Sequence, residues 1–339
     1  MVAGAFSRDP ETSAAGAATY RLPSERAYTS LDALIAAERA REDGVEMLVV
    51  ATPNHHHATA VKAGLAAGLA VMCDKPLTGT LPEARELERA VREASAPLAV
   101  SYTYSGYPLA REARERIAAG AIGTVRKVVV EYPQGWLAGD DGSKQAAWRL
   151  DPATAVDGGC IADIGVHAFH LAEFVTGLKV VRLFADLAAV VPGRALDDDC
   201  QLLLRFDNGA RGALLASQIS VGERNGLRLR IYGDRGGLDW AQENPNHLWF
   251  HHADGRTELI QTGDQGLSAD AQRATRTPGG HPEGYLEAFA NLYRDFARRI
   301  RGEDAPLLPG IDDAMRGMAL IDLAVKASRD ERGWVEFQG

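Results

Sequence analysis

The sequence predicts an α/β domain with a parallel sheet over residues 1–122, followed by an α+β domain with an open, mainly antiparallel sheet over residues 123–339. Three observations support this prediction. The 339 residues exceed the usual length of a single domain. In the first part, apolar runs alternate with helical patterns, which is typical of right-handed βαβ units. In the second part, strand-like runs follow one another across short turns.

The first part contains four predicted strands with a helical pattern between each successive pair. Ser30 is the expected N-cap of the first predicted helix, because a serine side chain can accept a hydrogen bond from the first turn. The run 45–53 is apolar and ends at a proline, as a strand buried on both faces does. The predicted strands cover 2–6, 45–53, 69–76 and 98–104, and the helices cover 30–40, 57–68 and 81–95.

The second part changes to strand patterns, with the residues DNGA at 207–210 as a strong hairpin signal. Two long amphipathic helices follow, and the stretch 262–280 reads as a loop. The strand patterns cover 124–134, 180–190, 199–220 and 227–240. Several of these strands carry more apolar residues than one buried face requires. We therefore expect a homo-oligomer formed through the open sheet.

Composition excludes several classes of protein. The chain has 37 basic and 46 acidic residues, a net charge of −9, which argues against binding to nucleic acid or to an anionic membrane. No apolar run approaches the roughly 20 residues of a membrane span. The three cysteines are far apart in the sequence, so we expect reduced thiols. With no signal-peptide pattern at the N-terminus, the sequence predicts a cytoplasmic location.

Polar residues follow two of the predicted parallel strands, where open α/β sheets bind their ligands. TPNHHH (52–57) ends one strand and CDKP (73–76) ends the next. Lys75 is either a solvated turn residue or a cleft lysine whose pKa burial lowers. Three adjacent histidines suggest a metal, but their side chains point in different directions, and polar contact with a ligand is the alternative.

The run DIGVHAFH (163–170) places Asp163 and His167 four residues apart in a predicted helix, on one face. Three interpretations remain open: a proton-transfer pair, a metal site that would need further ligands, and a buried structural pair. Gly158 and Gly159 precede this run. A pair of glycines would allow the backbone to approach a ligand closely.

TPNHHH, CDKP and GGCIADIGVH, in this order, resemble the Gfo/Idh/MocA oxidoreductases over nearly the whole chain. The resemblance implies a Rossmann-like first domain, with Asp74 in place of the family's usual glutamate. It also implies that Lys75, Asp163 and His167 line a cleft that faces a nicotinamide. The contacts with the cofactor would come from Thr52, Pro53, Asn54, His57, Asp74, Lys75 and Pro76.

The same resemblance implies hydride transfer between NAD(P) and a secondary alcohol or ketone of a sugar, sugar derivative or cyclic polyol. His167 would then be the general base, Lys75 would polarise the oxygen, and Asp163 would orient the imidazole. We expect no metal in this chemistry, because the cofactor supplies the difficult step. Further substrate contacts are expected from Trp148, Arg149, His281 and Tyr285.

The sequence contains no G-x-G-x-x-G motif, the turn that holds a dinucleotide pyrophosphate. We therefore expect that the first βα unit of the Rossmann-like domain is absent. Ser7 and Arg8 follow the first strand and favour a 2′-phosphate, hence NADP, whereas Asp9 keeps NAD possible. A non-catalytic protein that binds a sugar or nucleotide is the main alternative. A metal-dependent hydrolase using the histidines at 55–57 is the third.

Overall fold

A computed structural model describes residues 1–139 and 158–339 of the chain. The predicted substrate contacts Trp148 and Arg149 lie outside these residues. No helix within the described ranges is long and apolar enough to cross a membrane.

The first part has the predicted parallel strands, arranged in two separate sheets. A two-stranded parallel sheet pairs β1 with β2, and a three-stranded parallel sheet has the order β3-β4-β5. The strands are β1 (Gly4–Ala5), β2 (Ala27–Tyr28), β3 (Met47–Val50), β4 (Ala70–Cys73) and β5 (Leu98–Val100). The helices are α1 (Pro10–Thr19), α2 (Leu31–Arg39), α3 (His57–Ala66) and α4 (Leu81–Glu93). Strand β4 is fully buried and β5 nearly so, in agreement with their apolar sequence. Strand β3 is buried on one face only, since Val49 is 43% exposed, which differs from the expectation of a strand buried on both faces.

Side-chain caps explain where these helices begin. The Ser30 hydroxyl accepts a hydrogen bond from the backbone of Ala33 at 3.1 Å, which confirms the predicted cap of α2. At α4, Thr80 and Glu83 form a reciprocal capping box. Each such cap satisfies amide groups that have no partner inside the helix.

The second part is built on one mainly antiparallel sheet of nine strands, in the order β13-β12-β11-β10-β6-β9-β8-β7-β14. Only β6 and β9 pair in parallel within it. Its strands are β6 (Val125–Pro133), β7 (Val180–Ala188), β8 (Asp199–Phe206), β9 (Arg211–Ser217), β10 (Arg228–Gly233), β11 (Gly236–Ala241), β12 (His247–His252), β13 (Thr257–Gln261) and β14 (Val335–Glu336). The predicted hairpin lies between β8 and β9, where Gly209 takes a φ of +87° that favours glycine.

One face of this sheet is covered by helices. The helices of the second half are α5 (Pro108–Ala118), α6 (Val166–Thr176), α7 (Ala269–Ala274), α8 (Tyr285–Ile300) and α9 (Ile311–Arg329). Helices α5, α6 and α9 pack on the sheet, whereas Leu292 and Phe296 of α8 pack on the parallel sheet of the first part. Strand β8 alternates accordingly, with Leu202 and Leu204 buried and Leu203 49% exposed on the other face.

Two stretches differ from the sequence-based expectation. Residues 262–280, expected to be a loop, contain α7, because the Ser268 hydroxyl caps it and Ala271 and Ala274 are buried. The helix predicted around DIGVHAFH begins as a π-helix over Ile161–Gly165 before α6 starts. A π-helix within a longer helix is frequently found at a functional site.

Candidate active site

A cavity of about 660 Å³ opens where the three-stranded parallel sheet meets the π-helix. The carboxyl ends of β3, β4 and β5 form one side of it, in agreement with the rule for open α/β sheets. The ends of β6 and β9 form the other side. Its lining includes Thr52, Pro53, Asn54, Asp74, Lys75, Pro76, Ser101, Tyr104, Tyr132, Gln134, Asp163, His167, Gln218, Asn225 and Tyr285.

Lys75 lies in the turn that follows β4, and its side chain is mostly buried. The Asp74 carboxylate accepts hydrogen bonds from the Lys75 amide at 2.8 Å and from the Ser101 hydroxyl at 2.7 Å. These contacts fix the turn, and the peptide bond from Lys75 to Pro76 is cis. The ammonium group then reaches across the cavity to Asp163, where it donates to the backbone carbonyl and lies 3.2 Å from a carboxylate oxygen.

Asp163 lies in the π-helix, whose start is held by a second carboxylate. Asp197 accepts hydrogen bonds from the amides of Gly159 at 2.7 Å and Ile161 at 2.8 Å. A Cβ on Gly159 would lie 2.3 Å from the backbone oxygen of Asp197, so only glycine fits there. The close approach that the paired glycines allow is thus to the protein's own chain, although both glycines also line the cavity.

Each oxygen of the Asp163 carboxylate contacts a side chain from a different part of the chain. One oxygen faces Lys75, and the other accepts a hydrogen bond from the Gln218 side chain at 2.8 Å. Gln218 comes at the end of β9, so the second domain's sheet positions this carboxylate directly. Lys75, Asp163 and His167 therefore lie in one cavity, as the sequence led us to expect.

His167 is held by aromatic rings rather than by Asp163. The imidazole packs edge-on against Tyr104, with 4.9 Å between ring centroids, and against Tyr102 at 5.9 Å. Its Nδ1 is buried and has no hydrogen-bond partner among the described residues. This differs from the expected orienting role of Asp163, whose carboxylate oxygens contact Lys75 and Gln218.

The surroundings of His167 keep its ring neutral. Burial lowers its pKa well below the usual value of 6.5, and the nearby charge of Lys75 lowers it further, followed by His170. A neutral imidazole at neutral pH can accept a proton, which suits a general base. The buried, paired ammonium group can stabilise negative charge on an oxygen bound nearby.

His57 does not face the cavity. It is fully buried, and its ring nitrogens lie 2.9 Å from the Pro76 carbonyl oxygen and 2.8 Å from the Thr52 carbonyl oxygen. The ring therefore joins the turns after β3 and β4 instead of contacting a cofactor. The other residues predicted for the cofactor in these two turns line the cavity, namely Thr52, Pro53, Asn54, Asp74, Lys75 and Pro76.

The exposed rings of His55 and His56 lie 4.0 Å apart by their centroids. Across residues 1–139 and 158–339, no three histidine, cysteine or acidic side chains are grouped so that they could hold a metal ion.

The residues after β1 lie outside the cavity lining. Ser7 accepts a hydrogen bond from the Asp9 amide at 3.1 Å. Asp9 in turn caps α1, accepting from the Thr12 amide at 2.8 Å and from the Thr12 hydroxyl at 2.6 Å. Capping thus occupies the carboxylate that would otherwise be available for a ribose, whereas Arg8 is exposed.

Of the two substrate contacts predicted near the start of α8, one reaches the cavity. Tyr285 lines it and packs edge-on against Phe289. His281 is exposed and lies outside the lining, with Nδ1 3.3 Å from the Pro278 carbonyl oxygen. The four-residue spacing failed because α8 begins only at Tyr285, so the two side chains do not share a helical face.

Sequence reasoning missed one wall of the cavity. It consists of Tyr104, Tyr132, Gln134 and Gln218, together with Asn225 in the loop before β10. Tyr104 follows the third parallel strand, so the strand-end rule that selected Lys75 could have selected it as well. Nothing in the sequence around Asn225 singles it out.

Comparisons with known proteins agree with this architecture. A family model described as "Oxidoreductase family, NAD-binding Rossmann fold" matches residues 1–102, and one described as "GFO/IDH/MocA C-terminal domain" matches residues 110–239. Because the first model matches from residue 1, it gives no support to the expectation that the first βα unit is absent.

Three relatives illustrate the similarity. An uncharacterized oxidoreductase of Bacillus subtilis is 32% identical, over 100% of this chain and 89% of its own. An oxidoreductase from Sinorhizobium meliloti is 41% identical, with a TM-score of 0.89 over 98% of this chain and 91% of that one. An inositol dehydrogenase homolog from Azotobacter vinelandii, solved with NAD+, is 32% identical, with a TM-score of 0.94 over 99% and 90% of the two chains. The chain therefore belongs to the Gfo/Idh/MocA family of oxidoreductases.

Proposed function

We propose that this protein is an NAD(P)-dependent dehydrogenase that acts on a secondary alcohol, or the matching ketone, of a sugar, sugar derivative or cyclic polyol. The observation that carries the proposal is the meeting of Lys75, Asp163 and a neutral His167 in one cavity at the ends of parallel strands. Relatives support it. The Azotobacter homolog was also solved with NADH and myo-inositol, and a levoglucosan dehydrogenase is 26% identical.

The turns after β3 and β4 fit the nicotinamide half of the cofactor. Thr52, Asn54 and Pro76 line the cavity beside Lys75, at the edge where open α/β sheets bind dinucleotides. When bound, the nicotinamide accepts a hydride from a carbinol carbon or returns one to a carbonyl carbon.

The chain's own residues handle the proton and the charge on the oxygen. In alcohol oxidation, the hydroxyl proton passes to the neutral imidazole of His167 as the carbon–oxygen double bond forms. The Lys75 ammonium stabilises the negative charge that develops on that oxygen. Asp163 holds the ammonium in place through its backbone carbonyl and its carboxylate. In the reverse direction His167 returns the proton.

NADP is the proposed cofactor, in preference to NAD. Ser7 and Arg8 follow β1, where a 2′-phosphate would be bound, and Asp9 is committed to capping α1. An exposed guanidinium at this position can pair with the phosphate, whereas a capping carboxylate is poorly placed to accept a ribose hydroxyl.

The function is tested with a panel of sugars and polyols, each assayed for reduction of NADP+ and NAD+ at 340 nm, with cofactor binding measured by fluorescence titration. We expect turnover on at least one neutral member and tighter binding of NADPH than of NADH. Arg8→Ala should remove the difference in cofactor affinity. Saturable binding of cofactor and sugar without turnover of any panel member would favour the non-catalytic alternative.

The outer face of the nine-stranded sheet supports the proposal of a homo-oligomer. Phe184, Leu203, Ala213 and Val129 lie opposite one another on the adjacent strands β7, β8, β9 and β6. Phe184 is 36% exposed and Leu203 49% exposed, and the described helices pack on the opposite face. A row of apolar side chains across four strands, exposed at Phe184 and Leu203 and half-buried at Ala213 and Val129, is typical of an interface with another subunit.

Light scattering at micromolar concentration should give a mass of at least two chains, and Leu203→Glu should lower it, because a charge would be buried in the interface. The matched control is Val190→Glu, which adds the same charge at a residue that is 56% exposed beyond the end of β7. A wild-type protein that runs as a monomer would contradict the interface.

A further inference from the structure

The wall of the cavity that includes Asn225 contains a closed ring of hydrogen bonds. The Tyr132 hydroxyl lies 2.7 Å from Oδ1 of Asn225, to which it donates its only hydrogen. Tyr104 and Tyr132 are also joined through their hydroxyls, so Tyr104 must be the donor in that bond. Nδ2 of Asn225 completes the ring at 3.4 Å from the Tyr104 oxygen.

The direction of these bonds is fixed by an indole. The Trp136 Nε1–H can only donate, so the oxygen of the Gln134 side chain faces it at 2.9 Å. Gln134 therefore presents its NH₂ group to Oδ1 of Asn225 at 2.9 Å. Asn225 must then direct Nδ2 toward the Gln242 oxygen, 2.8 Å away. No flipped amide satisfies all of these contacts.

The hydrogen-bond donors of Tyr104, Tyr132 and Asn225 are already used by contacts within the protein. Both phenol hydrogens and both amide hydrogens of Asn225 are used within this set of bonds, so what Tyr104 and Tyr132 can offer a ligand is oxygen lone pairs. Burial raises the pKa of both phenols, which therefore stay protonated in their present bonds. The ring lies against the proposed base, since Tyr104 packs on His167.

The charged residues that line the cavity also favour ligands that donate hydrogen bonds over anions. Among the described lining residues, the carboxylates of Asp74, Asp163 and Asp197 are accompanied by one cationic side chain, that of Lys75. A fourth lining carboxylate, Asp198, is paired with Arg194 at 3.0 Å. The ammonium group of Lys75 is already engaged by Asp163. A ligand that donates hydrogen bonds meets acceptors here, whereas an anion meets acceptors and like charge.

We infer that this cavity selects neutral polyhydroxy ligands over sugar acids of the same carbon skeleton, and that the Tyr104–Tyr132–Asn225 ring is the element that selects. The inference rests on the proposed function, which it narrows from sugars, sugar derivatives and polyols to the uncharged ones. A hydroxyl group can donate to the phenol oxygens. A carboxylate in its place cannot, and would remain without a partner in a buried site.

The test compares two matched pairs, D-glucose with D-glucuronate and D-galactose with D-galacturonate, by titration calorimetry on the protein saturated with NADPH. We expect each neutral sugar to bind at least tenfold more tightly than its acid, the usual scale for a charged group left without a hydrogen-bond partner. An acid that binds as tightly as its neutral partner would overturn the inference, and so would the absence of saturable binding for all four.

Two variants test the ring itself. Tyr132→Phe removes the acceptor of the Tyr104 hydrogen, and Asn225→Ala removes the acceptor of the Tyr132 hydrogen. Each substitution leaves one phenol hydrogen free to bond a carboxylate. The ratio of the affinity for the neutral sugar to that for its acid should therefore fall about tenfold. Tyr28→Phe is the matched control, since its hydroxyl donates to Glu38 at 2.8 Å on β2, away from the cavity. Melting curves identify a variant that fails to fold, in which case the other one decides.

An unchanged ratio in both folded variants would reject the ring as the selecting element. Turnover distinguishes this inference from the function on which it rests. If the neutral sugars bind preferentially but no panel member is oxidised, selection stands and the proposed dehydrogenase fails. If a sugar acid is oxidised faster than its neutral partner, the dehydrogenase stands and selection fails.

Discussion

His167→Ala should lower kcat by about 10²-fold or more, the usual scale for losing a general acid–base group. The KM for the substrate should change much less, because the imidazole of His167 only moves the proton while other side chains hold the ligand. The imidazole lines the same cavity as Lys75, and burial keeps it neutral. The measurement is steady-state oxidation of the panel member that turns over, with saturating cofactor.

The matched control is His281→Ala, which removes an exposed histidine outside the cavity and should leave kcat unchanged. A purely structural His167 predicts a different result. Because the ring fills the space beside Tyr102 and Tyr104, its loss would then lower the melting temperature while the folded fraction kept normal turnover. That outcome would remove His167 from the proton transfer.

Lys75→Met should lower kcat/KM by about 10²- to 10³-fold, the scale for losing a donor that stabilises a developing oxyanion. It should also shift the pH dependence. The positive charge of Lys75 helps to lower the pKa of His167, so removing the charge raises that pKa. Because the base works when neutral, the acidic limb of the pH–rate profile should move to higher pH.

Lys75→Arg provides the control for charge, since the guanidinium keeps the field at His167 while changing the geometry at the substrate oxygen. Its acidic limb should stay close to that of the wild type even if its rate falls. An acidic limb that does not move in Lys75→Met would show that the two groups do not interact as the structure indicates.

The sequence was most informative where a single strand or turn decides the position of a side chain. Lys75 follows a buried strand, and its placement required only the rule that parallel strands end at a common edge. The succession of strands and helices along the chain and the open antiparallel sheet could also be predicted, because alternation and turn signals are local features.

The predicted contacts of a side chain were wrong where its actual partners are far away in the sequence. His57 appeared to be a ligand contact, but two backbone carbonyls from different turns hold it in the interior. Asp163 appeared to orient His167, but Gln218 and Lys75 come from other strands and engage its carboxylate. Helical spacing shows which residues can share a face, and it does not show which partner they contact.

The wall that includes Asn225 had no sequence signal for a similar reason. Its residues come from the ends of β5, β6 and β9 and from the loop before β10, and Tyr132 and Asn225 are more than 90 residues apart. Only the folded sheet brings their side chains together. Polar networks of this kind depend on tertiary structure, which local patterns do not record.

The most direct test of the account follows the hydride itself. The panel member that turns over is supplied with deuterium at its carbinol carbons, and the reduced cofactor is isolated and analysed by mass spectrometry. The account predicts one deuterium in the nicotinamide ring per molecule reduced, in the wild type and in the slower His167→Ala variant alike. Reduced cofactor without deuterium, or a protein that binds cofactor and sugar yet reduces none, would contradict the assignment of a dehydrogenase that acts on a secondary alcohol.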